Sequence, residues 1–229
     1  MSTVIKIGGA LLEDPKRAVS AIQQAIHGPT VIVHGGGVQI TRMLGKMNVQ
    51  AGFVDGLRVT GETALQAVCL ALLGEVHSQL VHALNAAGMP AVGVFGGVRA
   101  KTKEGPWGLV GTNVDADPEL LLSLLAIRRI PVIPTLALGP TSMLNVNGDE
   151  TAAAVAVRIQ AGRLIFMTDV QGVKDSEGSV IDLASNVDDL LSATFVSGGM
   201  LPKLRAVKAA LSGGVRVVRV GKTRFAGAS

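Results

Sequence analysis

The sequence predicts an α/β fold: a three-layer sandwich, with a mostly parallel central sheet and helices on both faces. Three observations predict it. Short apolar runs alternate with helical patterns, glycine-rich turns follow the first two runs, and aromatic residues make up only 3% of the chain, with no tyrosine. A core filled by Ala, Val, Leu and Ile, in runs without strict polar alternation, is the signature of strands buried on both faces.

The elements follow in order. Val4–Ile7 reads as a strand ended by Gly8-Gly9. Asp14–Ile26 reads as a helix, with Asp14 as its cap and Pro15 in its first turn. Thr30–His34 is a second strand, followed by Gly35-Gly36-Gly37 and a helix from Val38 to Met47. Glu62–Ala87 is a long helical stretch that Gly88 stops. Ala91–Phe95 is a strand, and the irregular region 96–117 has room for a hairpin. Pro118–Arg128 is a helix, Ile130–Leu136 a strand, Asp149–Ala161 a helix and Leu164–Thr168 a strand. Val187–Ala193 and Pro202–Leu211 are helices, and Val215–Val220, after Gly213-Gly214, is the final strand expected. No fixed-period repeat or low-complexity linker interrupts residues 1–229, which read as one domain.

Composition narrows the function. The chain has 229 residues, 48% hydrophobic and 17% charged, with a mean hydropathy of +0.45, which excludes a disordered segment. The apolar stretches, such as Ala64–Leu73, fall short of the roughly 20 residues a membrane span needs. No leader is expected before the first strand, and Cys69 is the lone cysteine, so the expectation is a cytoplasmic protein without disulfides or membrane contact. The four histidines show no zinc spacing, and no metal site is expected. Net charge is +4 with a pI near 9.5, which favours an anionic ligand. Nucleic acid is not expected, because the basic residues are scattered and stacking aromatics are scarce.

In parallel sheets, ligands bind beyond the carboxyl ends of strands. Four polar or glycine-rich segments fall there: Lys6-Ile7-Gly8-Gly9, His34-Gly35-Gly36-Gly37, Asn145-Val146-Asn147-Gly148-Asp149 and Thr168-Asp169-Val170-Gln171-Gly172-Val173. Successive glycines before a helix let backbone N–H groups approach an anion, and the helix dipole adds to the attraction. Two such loops fit two anionic groups or one polyanion. Gly221-Lys222-Thr223 is not a P-loop, since Arg216 stands where the first glycine belongs. Gly35-x-Gly37 is not a dinucleotide fingerprint, since position 40 is Ile.

These residues carry a family resemblance. Ile5–Gly9 (IKIGG), Val31–Gly37 (VIVHGGG), Gly56–Thr60 (GLRVT), Ile130–Pro134 (IPVIP), Asn145–Asp149 (NVNGD), Met167–Val173 (MTDVQGV) and Gly198–Lys203 (GGMLPK) occur in register with acetylglutamate kinase along almost the whole chain. The resemblance implies the amino acid kinase fold. It also implies transfer of the ATP γ-phosphoryl group to the side-chain carboxylate of N-acetyl-L-glutamate, giving an acyl phosphate in arginine biosynthesis. A carboxylate is already nucleophilic, so catalysis is positioning and charge neutralisation. By the same resemblance Lys6 and Lys203 stabilise the transferring group and Asp149 orients both. Arg58 binds the substrate α-carboxylate, a task suited to its planar fork, with Gly36, Gly37 and Asn145 as further substrate contacts. Gly8, Gly9, Asp169, Val170, Gln171, Gly172, Val173, Lys174, Phe195, Val196 and Ser197 form the ATP side, with Mg2+ held mainly by phosphates. An N-terminal lobe of about residues 1–140 binds the amino acid and dimerises, and a C-terminal lobe of about 141–229 binds ATP.

Each assignment has a plainer reading. Lys6 is then a solvated strand-end lysine, Arg58 a loop charge, Asp149 a helix N-cap and Lys203 an ordinary first-turn lysine. His34 and Met200 read as structural, and Trp107 as a loop anchor. Leu65, Val68, Leu72, Val76, Leu80 and Leu84, close to a 3.5-residue repeat, form either a homodimer seam or a core face.

The chain also departs from the resemblance. Val76-His77-Ser78 stands where Val-Asn-Lys is usual, Thr60-Gly61 where Thr-Asp is, and Phe95-Gly96-Gly97-Val98-Arg99 where a loop with Asp-Gly is. A C-terminal Gly-Thr strand and the N-terminal helix of arginine-inhibited members are both expected to be missing, so the dimer is expected to ignore arginine. Two alternatives stay open: a kinase acting on aminoadipate or glutamate bound to an acidic carrier protein, and a nucleotide-binding regulatory relative without turnover.

Overall fold

Thr3–Ile7 forms β1, and its alternation decides the layout of the molecule. Val4 points into one hydrophobic core, while Ile5 and Ile7 point into another on the opposite face. The computed structural model describes residues 1–184 and 186–227, with Gly9 and Ala10 described in backbone only. A 3-10 turn (Gly9–Glu13) leads into α1 (Pro15–Ala25), whose first turn is capped by Asp14 accepting from the amides of Lys16 and Arg17. Then come β2 (Thr30–His34), α2 (Gly37–Lys46), β3 (Phe53–Val54) and β4 (Leu57–Arg58).

The long helix runs as α3 (Glu62–Cys69), a π-helical segment (Leu70–His77) and α4 (Ser78–Ala86). After it come β5 (Ala91–Gly93), the hairpin β6 (Val98–Thr102) and β7 (Gly111–Ala116), and α5 (Pro118–Ala126). β8 (Ile130–Pro134), β9 (Leu136–Leu138) and β10 (Met143–Asn145) precede α6 (Gly148–Arg158) and β11 (Arg163–Met167). The chain closes with β12 (Leu183–Ala184), α7 (Val187–Ser192), α8 (Met200–Ser212), β13 (Val217–Val220) and β14 (Thr223–Ala226).

The main sheet has eight strands in the order β12-β14-β13-β11-β1-β2-β8-β5. Every pairing from β13 to β5 is parallel, and β14 returns antiparallel to β13. From β1 the chain steps one way to β2 and, much later, the other way to β11, so the switch in strand order lies at β1, where ligands collect in such sheets. A four-stranded sheet, β10-β9-β6-β7, stands beside it.

Helices cover both faces. Under α6 and α8 lie Val4, Val31, Val33, Ile133, Leu164, Phe166 and Val218. Under α1 and α4 lie Ile5, Ile7, Ile32 and Val132. On that second face the cover stops at α1. Over β11, β13 and β14 it leaves a groove of about 870 Å³ past exposed Arg163, Arg219 and Arg224.

Several expectations need correction. The region 96–117 holds the hairpin it had room for, but Val215–Val220 is not the final strand. β14 follows it, with Thr223 and Phe225 buried at 0% and 1% exposure. Gly221-Lys222 is simply the turn between β13 and β14. The strand expected to reach Phe95 ends at Gly93, and Phe95 is 45% exposed.

By length and composition the run Glu62–Ala86 is apolar enough to cross a membrane, with a mean hydropathy of 1.4 over its most apolar stretch, contrary to the sequence expectation. Its stripe is spent inside the protein, however: Leu65, Val68, Leu72, Val76, Leu80 and Leu84 are all buried in core. That excludes the stripe as a dimer seam and makes it a core face.

Because β14 completes the sheet edge, Phe225→Ala is expected to lower unfolding free energy by about 3–5 kcal/mol, the usual loss for a buried phenylalanine. Urea denaturation checks this, and near-native stability would mean that the last strand is not part of the core.

Candidate functional site

Strand parity places the first site residue. Lys6 lies two residues beyond Val4, so it leaves β1 on the face covered by α6 and α8. There Lys6 Nζ is 3.1 Å from Asp149 Oδ1, and Lys203 Nζ is 2.8 Å from Asp149 Oδ2. One carboxylate from α6 therefore joins an ammonium from the first strand to another from α8.

Asp149 and Lys203 are each 7% exposed, and the side chain of Lys6 is 17% exposed. Lys6 is thus not a solvated strand-end lysine. Burial pushes the Asp149 carboxyl up, but Lys6 and Lys203 together outweigh it and hold it below its ordinary value. Burial pulls the Lys203 ammonium down, and Asp149 restores part of the loss. Lys203 also stands 5.2 Å from the Phe166 ring centroid. The three groups sum to one formal positive charge in a largely desolvated place, with Asp169 as a further anion near Lys203.

Local chemistry sets Asp149. It is not the helix cap. Asn147 caps α6, its side-chain oxygen accepting from the amides of Asp149 and Glu150 at 2.9 and 3.0 Å. Asp149 falls in the first turn, where the dipole favours an anion, and its carboxylate is free to face the lysines. Gly148 makes room: a Cβ there would sit 3.0 Å from Lys6 Cε and 3.1 Å from Thr135 Cγ2.

Two clefts gather most of the nominated residues. The first, about 530 Å³, takes in Lys6, Gly8, Gly36, Gly37, Arg58 and Asn145. The amides of Gly36 and Gly37 open α2 and find no acceptor among the described residues. Arg58 enters from the β3–β4 hairpin. Its Nη2 donates to Thr41 Oγ1 at 2.8 Å, and its guanidinium lies 4.6 Å from the Phe53 ring centroid. It is therefore oriented toward the cleft and is not a free loop charge. Burial lowers its pKa. Asn145 Nδ2 donates to Thr60 Oγ1 at 3.1 Å, and that hydroxyl donates to the Arg58 carbonyl. Trp107 anchors the hairpin by donating Nε1–H to the Val54 carbonyl.

The second cleft, about 610 Å³, gathers Val170, Gln171, Gly172, Val173 and Lys174 with Phe195, Val196 and Ser197. Two segments some twenty residues apart in sequence thus line one cavity. Val170 and Phe195 are 43% and 45% exposed there, offering apolar surface to a flat ring. Asp169 lies outside this lining but near enough to Lys203 to stabilise its charge. Gly8 opens on the first cleft, and of Gly9 only the backbone is described. A third concavity of about 590 Å³, between α6, α8 and β7, holds none of the nominated residues. Among the described residues, no group of three or more His, Cys, Asp or Glu is placed to hold a metal ion.

Sequence reasoning missed Thr41, Phe53, Thr135 and Asn147, and it read His34 alone. His34 is fully buried, its Nδ1 3.0 Å from the Gly35 carbonyl and its Nε2 2.9 Å from His77 Nδ1. Asn147 had a legible signal, an Asn just before a helix with acids in its first turn. Thr41–Arg58 and His34–His77 join residues distant in sequence and left none.

The model of the amino acid kinase family matches residues 1–222. Acetylglutamate kinase of Acidobacterium capsulatum is 40% identical over 235 residues, covering 96% of this chain and 90% of the relative. Acetylglutamate kinase of Koribacter versatilis is 37% identical over the same span and coverage. The crystal structure of smu.665 from Streptococcus mutans UA159 superposes with a TM-score of 0.86 at 28% identity, covering 99% of both chains.

Burial pulls the His34 pKa from 6.5 down to about 3, with the neighbouring His77 adding to the fall and the Gly35 carbonyl opposing it. Below pH 6.5 the unfolded chain takes up a proton that the folded ring refuses. Stability is therefore full above that pH and lost as pH falls toward 3. Between pH 6.5 and 5 the unfolding free energy is expected to drop, by up to about 1.4 kcal/mol per pH unit for such a ring. Urea titrations at several pH values check it; a flat profile would mean that His34 is protonated in the fold.

Proposed function

The chain belongs to the amino acid kinase family, and from that premise we propose that it is an ATP-dependent acetylglutamate kinase, phosphorylating the side-chain carboxylate of N-acetyl-L-glutamate in arginine biosynthesis. The observation that carries this reading is Asp149 bridging Lys6, which lines the first cleft, and Lys203, on the helix whose Met200 lines the second. One cleft has the donors for a carboxylate, and the other has the apolar walls and glycine-rich turn for a nucleotide.

The residues act as follows. Arg58, oriented by Thr41 and Phe53, takes the α-carboxylate of the amino acid. Asn145 holds a polar group of the same substrate. Val170 and Phe195 take the base of ATP, with Gln171, Gly172, Lys174 and Ser197 around the ribose and phosphates, and Asp169 beside Lys203. An oxygen of the substrate side-chain carboxylate attacks the γ-phosphorus, the bond from that phosphorus to the β-phosphate oxygen breaks, and ADP leaves with the electron pair. Negative charge spreads over the transferring oxygens. Lys6, Lys203 and the amides of Gly36 and Gly37, with Gly8 and Gly9 alongside, meet that charge without reorganisation, and Asp149 keeps the lysines in place. No general base is required.

The donors facing the clefts are ammonium and N–H groups, which suit phosphate oxygens rather than a metal. Magnesium is proposed to arrive with ATP, held by its phosphates and by water, and to neutralise part of their charge. Residues 1–140 or so serve as the amino-acid lobe and about 141–229 as the nucleotide lobe. Homodimerisation through the N-terminal half and a cytoplasmic location complete the proposal; with the long-helix stripe buried, such a dimer uses another surface. Lys6 and Arg58 are the charged residues lining the first cleft. The absence of a basic cluster there, among the described residues, favours a free amino acid over one tethered to an acidic carrier.

ADP release with N-acetylglutamate, glutamate and aminoadipate as acceptors tests the reading, and preference for glutamate or aminoadipate would overturn it. Lys6→Ala and Lys203→Ala are each expected to lower kcat by at least about a hundredfold, the scale of losing one transition-state donor. Arg58→Lys should raise KM for the amino acid far more than KM for ATP, because charge stays while the fork is lost. Equal changes in both would remove Arg58 from its role.

A further inference from the structure

The family chemistry makes no use of the pair formed by buried His34 and half-buried His77, yet it touches the glycine loop. His34 ends β2 on the face opposite Lys6, pointing at the π-helical segment, and His77 ends that segment. The two rings stand 5.1 Å apart between centroids. The segment packs hard on the loop: a Cβ on Gly36 would come within 2.7 Å of Leu72 Cδ2 and 3.2 Å of Val76 Cγ2. On its far side His77 Nε2 rests against Gly93 of β5, where a Cβ would come within 2.5 Å. The His77 ring is therefore clamped between β5 and His34.

The hydrogen-bond chain has one consistent direction. The Gly35 carbonyl can only accept, so His34 Nδ1 carries the hydrogen. Both rings have their pKa lowered by burial and are neutral at pH 7. A neutral His34 then has Nε2 as an acceptor, and His77 Nδ1 must donate to it. In a trans peptide the C=O of residue 35 and the N–H of residue 36 point opposite ways. Holding the Gly35 carbonyl toward His34 therefore turns the Gly36 N–H away from the histidines, toward the cleft that Lys6 lines.

We propose that His77 and His34 are positioning residues, a two-ring relay from the π-helical segment that fixes the Gly35–Gly36 peptide with its N–H aimed at the transferring group. The proposal rests on the kinase reading for what the amide meets, and on geometry alone for the peptide's orientation. His77 ends the π-helical segment with its ring against His34 and Gly93, and π turns recur at functional sites.

The test pairs two variants with one spectrum. His77→Leu keeps the bulk and removes the donor; His77→Asn restores an N–H at nearly the place of Nδ1. In the ADP-release assay with N-acetylglutamate, His77→Leu should lower kcat by about 10–100-fold, as loss of a supporting hydrogen bond does. KM for both substrates should stay within about threefold, the pattern of an interaction strengthened only in the transition state. His77→Asn should recover most of the loss. Unchanged kcat in His77→Leu, or equal impairment of both variants, overturns the proposal, the second outcome marking a packing role.

Nitrogen-15 imidazole spectra of the unsubstituted protein at pH 7 should show both rings as neutral Nδ1–H tautomers. A His34 protonated at Nε2 alone overturns the relay whatever the assay gives. If the unsubstituted protein releases no ADP with N-acetylglutamate, the kinase reading fails by itself, and the spectra still decide the relay.

Discussion

The site depends on a carboxylate held between two ammonium groups in a place with little water. Three charges brought out of solvent are costly, and removing any one leaves the others uncompensated. The arrangement therefore needs support from elements that cannot drift. Lys6 is fixed by the pleat of a central strand, Asp149 by a helix whose first turn is capped from Asn147, and Lys203 by the first turn of a helix packed along α6. Pairing within the three groups leaves one formal positive charge, with Asp169 as a further anion near Lys203.

The sheet separates two kinds of chemistry. On the face under α6 and α8 lies the charged triad, and on the face under α1 and α4 lies a neutral, hydrogen-bonded histidine pair. A two-residue alternation is the cause: Lys6 shares parity with Val4, and His34 shares parity with Ile32. Both faces then converge at the carboxyl ends of adjacent strands, so a charge above the sheet and a backbone amide oriented from below it reach the same cleft.

Much of this was legible in the sequence. Thr30–His34 was read with its observed bounds, most helices within two residues, and the motifs at strand ends lie where parallel-sheet logic puts them. Segments 170–174 and 195–197, distant in sequence, line one cleft. What stayed hidden has physical reasons. β14 and the β3–β4 hairpin are too short and too mixed in character for periodicity to mark them. Asp149 was open to reading as a cap because an acid near a helix start fits either role, and only the backbone geometry shows that Asn147 takes it. The partners of Arg58 and His34 come from elements 17 and 43 residues away, and no local rule pairs them.

The π-helical segment has a consequence for which changes this chain can absorb. From Val68 the buried stripe advances by four residues at each step, through Leu72, Val76, Leu80 and Leu84. In a regular α-helix four such steps would drift about 160° around the axis. The wider turn from Leu70 to His77 takes up part of that drift and keeps the whole stripe inward, with Leu65 and Val68 in one core and Leu80 and Leu84 in another. The segment acts as a phase adjuster between two halves with separate packing partners. Removing one residue there would turn one half by about 100° relative to the other and set its apolar stripe against solvent, whereas a like-for-like substitution at exposed Leu70 leaves the phase untouched. At this point of the chain, length is under tighter constraint than identity.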